Sequence, residues 1–115
     1  MILYVYSKCS TCKDALKFLE QKKAVFLRKE ITETPPTVAE LQAMLDFMQG
    51  NLKKLFNSSG QLYRELHLTE KLKSMTQTDA LTLLSQNGML VKRPFLLGND
   101  FGLIGFSEAE WVKKF

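Results

Sequence analysis

Two cysteines are the residues of this chain best suited to chemistry. Cys9 and Cys12 are the only cysteines among 115 residues, and Ser10 and Thr11 separate them. Thiols at this spacing can bind a metal, close a disulfide or carry out thiol–disulfide exchange. In the last case, Ser10 and Thr11 are expected to help set the reduction potential of the pair.

The segments around the pair predict a βαβ unit. Residues 2–6 (ILYVY) are apolar and typical of a buried strand, and apolar residues then recur at helical spacing from Cys12 onward. A second strand is predicted over residues 25–31. A strand, a helix and a strand within about thirty residues imply parallel pairing of the two strands.

This placement predicts an activated thiol. Cys9 falls where the first strand ends, and Cys12 falls in the first helical turn, whose unpaired N–H groups and dipole stabilise a thiolate. Lys8 and Lys13 are expected to add positive charge and to lower the thiol pKa further. We expect Cys9, at the more open position, to be the nucleophile, and Cys12 to resolve a mixed disulfide.

Two other interpretations of the cysteines stay open at this point. A zinc site normally needs four ligands, and this chain has no second CxxC and a single histidine, His67. We therefore expect no metal site. The two thiols could also be buried and inert, as many structural cysteines are.

The rest of the sequence predicts helices and then a hairpin. Helical patterns fill much of residues 35–88, and Thr37 with Glu40 has the spacing of a capping box. "FLLG" and "GLIG" flank an Asn-Asp turn and predict a β-hairpin. Ser107 with Glu110 has the spacing of another capping box and opens a last helix.

Composition limits the partners and the compartment. The net charge is +4, but the lysines are dispersed among carboxylates, so we expect no direct nucleic-acid binding. No apolar run approaches the ~20 residues of a membrane span, and the start of the chain lacks the pattern of a signal peptide. We therefore expect a cytoplasmic protein with no membrane contact, in which a CxxC pair stays reduced and available.

Four segments together resemble the ArsC-like family, which includes arsenate reductases and the Spx and MgsR regulators. They are "YSKCSTCKDALKFLEQ", "LFNSSGQLYREL", "NGMLVKRPFLL" and "GLIGFSEAEW". The resemblance implies an α/β, thioredoxin-like fold with a mixed four-stranded sheet (βαβ…ββα). The whole chain would be one domain, with its core at about 1–34 and 89–115 and an inserted helical segment at about 35–88.

The resemblance also implies roles for two residues of "KRP" at positions 92–94. In thioredoxin-like folds a proline before a strand is cis and faces the redox cysteine, and Pro94 occupies the matching place. Arg93 would then lie near Cys9, where it could stabilise a thiolate or hold an anion.

The sequence departs from the pattern of the arsenate reductases. Those enzymes have Cys-Gly-Thr-Ser-Arg after the first strand, whereas this chain has "CSTCK". They also hold the oxyanion with three arginines. Arg93 matches one of them, but the second falls near Phe56 or Asn57 and the third near Gly105, and none of these is basic. Arsenate reduction is therefore the weaker expectation.

Two functions of different classes remain from the sequence. The first is a thiol–disulfide reductase that uses Cys9, Cys12 and Arg93, with a thiol or disulfide substrate and with glutathione or thioredoxin as the reductant. The second is a redox-sensing regulator that binds the C-terminal domain of the RNA polymerase α subunit. Spx carries a basic C-terminal extension, whereas this chain stops at Phe115, so we expect the reductase, and an MgsR-like regulator stays open as the alternative. We also expect a monomer.

Overall fold

Four strands and six α-helices follow one another in the order βαβ, helices, ββα in the computed structural model, which describes residues 1–115. The strands are β1 (Ile2–Val5), β2 (Leu27–Glu30), β3 (Phe95–Leu97) and β4 (Gly102–Ile104). The helices are α1 (Ser10–Gln21), α2 (Val38–Phe47), α3 (Gln61–Glu65), α4 (Leu68–Lys71), α5 (Gln77–Gln86) and α6 (Glu108–Val112), with 3₁₀ turns at Leu52–Leu55 and Gly88–Leu90.

The four strands form one mixed sheet in the order β2-β1-β3-β4. β1 pairs in parallel with β2 and antiparallel with β3, and β3 pairs antiparallel with β4. This confirms the predicted α/β fold with its parallel βαβ unit and its C-terminal hairpin. The second strand is shorter than predicted, because residues 25 and 26 precede the pairing and Val25 is 88% exposed.

Alternate residues of β1 face opposite sides of the sheet, and each side has its own hydrophobic core. On one side α2 to α5 pack against the sheet and form the insert core: Tyr4, Ile31, Leu41, Met44, Leu45, Leu55, Phe56, Tyr63, Leu68, Ala80, Leu81, Leu84, Leu90, Val91 and Phe95. On the other side α1 and α6 form the cysteine-side core: Leu3, Val5, Cys12, Ala15, Phe18, Leu19, Leu96 and Trp111.

Of the two predicted capping boxes, one is present in the structure and the other is not. Thr37 accepts from the backbone N–H of Glu40, and the Glu40 carboxylate accepts from the backbone N–H of Thr37, so the first capping box is confirmed. The box predicted at Ser107 is wrong, because the Ser107 side chain makes no capping hydrogen bond. Glu110 forms an ion pair with Lys113 at 3.8 Å instead.

A close backbone contact joins the insert to the end of β2. A Cβ added to Gly88 would lie 1.9 Å from the carbonyl oxygen of Ile31, so only glycine fits there. This approach places the segment that follows Gly88 beside the sheet, and Pro94 and Arg93 lie at the end of that segment. No helix has both the length and the apolar character needed to cross a bilayer.

Candidate functional site

Cys9 is the N-cap of α1, and its sulfur receives two short contacts. The backbone N–H of Cys12 donates to Cys9 Sγ at 3.3 Å, which satisfies one of the free donors of the first helical turn. The Thr11 Oγ1 lies 3.1 Å from the same sulfur and can donate to it when the sulfur is a thiolate. A negative charge on Cys9 therefore finds donors already in place.

These contacts set the pKa of Cys9. Partial burial by itself raises the pKa of this thiol. Hydrogen bonds from the Cys12 thiol, the Thr11 hydroxyl and the Cys12 N–H, together with the charge of Arg93, outweigh burial and lower the pKa of Cys9 below its ordinary value. Cys9 is partly exposed, so a substrate can reach its thiolate.

Cys12 has the opposite character. Its side chain is 1% exposed within the cysteine-side core, and both cysteines are free thiols. Burial, followed by the hydrogen bond to Cys9 and the charge of Cys9, raises the pKa of Cys12 to about 12. The pair is therefore asymmetric, with an open thiol that ionises readily and a buried thiol that keeps its proton.

Arg93 approaches the pair from the short segment that precedes β3. The Arg93–Pro94 peptide bond is cis, as the resemblance implied. The Nη1 of Arg93 donates to the carbonyl oxygens of Met89 at 3.2 Å and Val91 at 3.4 Å, and the guanidinium Cζ lies 4.9 Å from the centroid of the Tyr6 ring. Its Nε is buried without a hydrogen-bond partner, and no carboxylate forms an ion pair with it.

The remaining predicted site residues contribute less to the charge at Cys9. Lys8, Ser10 and Lys13 are exposed to solvent. The positive charge that lowers the pKa of Cys9 comes from Arg93, and not from Lys8 or Lys13 as we expected from the sequence. Water screens charges on exposed side chains, whereas Arg93 is half-buried and fixed by two carbonyls.

A cleft of about 630 Å³ opens beside the cysteines. Thr11 and Arg93, which both act on the Cys9 sulfur, line it, together with Phe106 and Trp111 on the side of α6. Phe56 and Gly105 also line the cleft, so the positions that the family comparison indicated for two further arginines do lie here.

Sequence reasoning missed three lysines in this cleft. Lys53, Lys54 and Lys92 join Arg93 along its lining, whereas the sequence indicated Arg93, Lys8 and Lys13 as the cations at the site. The "KK" and "VKRP" motifs were visible in the sequence, but they lie about forty residues apart. Nothing in a single sequence brings them to one surface. No group of three or more His, Cys, Asp or Glu side chains is arranged to hold a metal ion.

The sequence profile of the ArsC family matches residues 4–114, which is nearly the whole chain. This chain belongs to the ArsC family. A relative with 40% identity over 114 residues, covering 99% of this chain and 97% of its own length, is the uncharacterized protein YusI of Bacillus subtilis (strain 168). The global transcriptional regulator Spx 2 of Bacillus cereus (strain ATCC 14579) is 24% identical over 115 residues, which cover 100% of this chain and 86% of Spx 2.

Solved structures of the ArsC family have the same fold. The crystal structure of a possible arsenate reductase from Streptococcus mutans UA159 is 36% identical and superposes with a TM-score of 0.90, covering 99% of this chain and 97% of its own. The ArsC fold is thioredoxin-like, so the fold that the resemblance implied is confirmed.

Proposed function

We propose that this protein is a cytoplasmic thiol–disulfide reductase in which Cys9 attacks a substrate disulfide and Cys12 resolves the product. The observation that carries the proposal is the asymmetry of the pair. The Cys9 sulfur caps α1, is partly exposed and has a lowered pKa, whereas Cys12, three residues on, is buried with a pKa of about 12. A nucleophile and a resolving thiol need this difference.

In the first step the Cys9 thiolate attacks one sulfur of the substrate disulfide. The new Cys9–substrate disulfide forms as the substrate S–S bond breaks, and the other half of the substrate leaves as a thiolate that takes a proton from water. The donors that Thr11 and the Cys12 N–H hold at Cys9 are 3.1 and 3.3 Å from its sulfur, so the reactive anion needs little rearrangement.

In the second step Cys12 attacks the Cys9 sulfur of the mixed disulfide. Burial is the largest cause of the raised pKa of Cys12, but the hydrogen bond to Cys9 and the charge of Cys9 also raise it. Both of the latter depend on the Cys9 thiolate, which the mixed disulfide removes. Cys12 therefore loses its proton more easily at the moment when it must act, and the second substrate thiol leaves as the Cys9–Cys12 disulfide forms.

The cycle transfers two electrons from the dithiol to the substrate, so the enzyme then needs a reductant. An external thiol such as glutathione, or a dithiol protein such as thioredoxin, would restore the two thiols and be oxidised in turn. We propose no bound cofactor and no metal in this cycle, and a monomer as the active unit.

Steady-state reduction of a neutral disulfide, bis(2-hydroxyethyl) disulfide, tests the proposal. The wild-type protein should turn over with either reductant. Cys9→Ser should abolish turnover, a loss of at least about a hundredfold, because no other thiol can attack first. Cys12→Ser should react once and accumulate as a mixed disulfide that mass spectrometry detects as an added substrate half.

The matched comparison between the two serine variants is the control. Both remove one thiol, but only Cys12→Ser should trap the substrate. If Cys9→Ser keeps wild-type turnover, or if Cys12→Ser traps nothing, the assigned roles are wrong. Arsenate offered in place of the disulfide should turn over far more slowly than the disulfide. The reason is that Arg93 alone matches the three arginines with which arsenate reductases hold the oxyanion.

The likeness to Spx 2 supports a second candidate, a redox-sensing regulator. In this proposal the Cys9–Cys12 disulfide does not turn over a substrate but alters a docking surface for the C-terminal domain of the RNA polymerase α subunit. A pull-down with that purified α domain separates the two functions. A regulator should bind in one redox state at least about tenfold more tightly than in the other, whereas a reductase should show no binding in either state.

A further inference from the structure

The cleft beside Cys9 carries more positive charge than the proposed chemistry needs. Lys53, Lys54, Lys92 and Arg93 line it, and none of the four forms an ion pair with a carboxylate of the chain. The lining holds one carboxylate, Glu110, and Lys113 pairs with it at 3.8 Å. The cations of the cleft are therefore left without a counter-charge from the protein.

Backbone pairing holds together the two segments that carry these cations. The Lys92 N–H donates to the carbonyl of Leu55 at 2.9 Å, and the Asn57 N–H donates to the carbonyl of Leu90 at 2.7 Å. The 3₁₀ turn that carries Lys53 and Lys54 is thus fixed against the segment that carries Lys92 and Arg93. The three lysine side chains are exposed, so water weakens their mutual repulsion, whereas Arg93 is half-buried. An anion bound in the cleft would interact with several of these cations at once.

The cleft that holds the cations lies beside the reacting sulfur, although Cys9 itself is not part of its lining. Thr11 lines the cleft, and its Oγ1 lies 3.1 Å from Cys9 Sγ, while Arg93 acts on the Cys9 thiolate from within the cleft lining. Gly105 leaves space for the Lys92 side chain, whose Cε would lie 3.4 Å from a Cβ at that position. A substrate whose sulfur is bonded to Cys9 would therefore extend its remaining atoms among the cations.

From this arrangement we propose that the preferred substrate is a small disulfide whose thiol half carries carboxylates, and that Lys53, Lys54 and Lys92 bind those carboxylates. The inference rests on the proposed reductase function. A cleft of about 630 Å³ has the size of a site for one small molecule. Arg93 acts on both partners, since it stabilises the Cys9 thiolate and stands free of carboxylates at the cleft wall.

Three disulfides of similar size and different charge test the inference: 3,3′-dithiodipropionate, bis(2-hydroxyethyl) disulfide and cystamine. They differ in intrinsic reactivity, so each kcat/KM is expressed as the ratio of variant to wild type. In Lys53→Gln/Lys54→Gln the ratio for the anionic probe should fall about fivefold to tenfold below the ratio for the neutral probe, because two cation–carboxylate interactions are lost. The ratio for the cationic probe should rise above the ratio for the neutral probe.

The matched control is Lys23→Gln/Lys71→Gln, which removes the same charge from two exposed lysines outside the cleft. All three ratios should then stay equal within about twofold, since screened charges at a distance act weakly. For the wild type, raising the ionic strength from about 0.01 M to about 1 M should slow only the anionic probe relative to the neutral one, as the Debye length falls from ~30 to ~3 Å.

The outcomes separate this inference from the function on which it rests. Turnover of all three probes, with ratios that Lys53→Gln/Lys54→Gln lowers equally or leaves unchanged, overturns the anionic substrate and leaves the reductase standing. If Lys23→Gln/Lys71→Gln lowers the ratio for the anionic probe as much as Lys53→Gln/Lys54→Gln does, the anionic substrate is also overturned, because the net charge of the protein would then be the cause. Failure of the wild type to reduce any probe overturns both.

Discussion

At the scale of single residues, the reactivity of Cys9 depends on small groups that a sequence motif does not describe. The sulfur is a helix cap, and it is held by a backbone N–H and a threonine hydroxyl as well as by the more distant charge of Arg93. A CxxC motif specifies the two sulfurs, but the residues between them and the backbone they share determine which sulfur ionises.

The Thr11 hydroxyl gives the residue-scale prediction. Thr11→Val keeps the shape of the side chain and removes the donor, so the pKa of Cys9 should rise and less thiolate should be present at neutral pH. Alkylation of Cys9 by iodoacetamide at pH 7 should slow by about threefold to tenfold, the cost of one exposed hydrogen bond to a charge.

The pH profile of that alkylation is the measurement. In the wild type its midpoint should lie below that of the unfolded protein in urea, because the folded thiol has the lowered pKa. The midpoint should move upward in Thr11→Val and return in Thr11→Ser, which restores a hydroxyl. A Thr11→Val profile that superposes on the wild type would show that the hydroxyl does not stabilise the thiolate.

At the scale of secondary structure, one carboxylate fastens the insert to the sheet. The Tyr4 hydroxyl on β1 donates to Glu40 Oε1 at 2.7 Å, and the same Oε1 accepts from the Thr37 N–H at 2.9 Å. Burial and the contact with Glu40 raise the pKa of Tyr4, so the phenol stays protonated and remains a donor. The capping box of α2 therefore also anchors that helix to the central strand.

Removing this hydrogen bond gives the second prediction. Tyr4→Phe should lower the free energy of unfolding by about 1–2 kcal/mol, the net value of a partly buried hydrogen bond to a carboxylate. Glu40→Ala should cost more, about 2–3 kcal/mol, because it leaves the buried Tyr4 hydroxyl unpaired and also breaks the cap. Urea unfolding of both single variants and the double variant measures the coupling.

Tyr63 supplies the matched control. It is also buried, at 4% exposure in the insert core, but its hydroxyl makes no hydrogen bond within the chain. Tyr63→Phe should therefore change the free energy of unfolding by less than about 0.5 kcal/mol. Equal losses in Tyr4→Phe and Tyr63→Phe would mean that the bond to Glu40 adds nothing to stability.

At the scale of the whole molecule, the order of elements could be predicted from the sequence, whereas their convergence on the site could not. Local periodicity and turn residues are properties of neighbouring residues, so the βαβ unit, the hairpin and the helix at Thr37 were within reach. The predicted cap at Ser107 failed, because residue spacing permits a capping bond without requiring it.

The lysines of the cleft show why the rest could not be predicted. Lys53 and Lys92 line one cleft because the backbone of residues 55–57 pairs with that of residues 90–92. These two segments are more than thirty residues apart in the sequence, and no local pattern predicts that their backbones pair. The family resemblance indicated Arg93, since it compares matched positions, but it could not reveal cations that reach the cleft from other positions.

The same sheet serves both hydrophobic cores, and this sharing predicts how the molecule unfolds. Tyr4 of β1 belongs to the insert core, whereas its neighbours Leu3 and Val5 belong to the cysteine-side core. If either core unfolds, the face of β1 that it covers becomes exposed to solvent. This destabilises the strand on which the other core also depends. We therefore expect one cooperative transition rather than separate unfolding of the insert and the thiol-bearing half.

Two probes report on the two cores. Trp111, the single tryptophan, is buried in the cysteine-side core, while most helical residues, which dominate the far-UV circular dichroism, lie in the insert. The two urea transitions should coincide in the wild type. Leu41→Ala, a cavity in the insert core, should shift both by the same amount, about 2–5 kcal/mol. If Trp111 fluorescence keeps its wild-type midpoint in that variant, the insert unfolds separately, and the cations that the insert brings to the cleft can then leave Cys9 without unfolding of the thiol site.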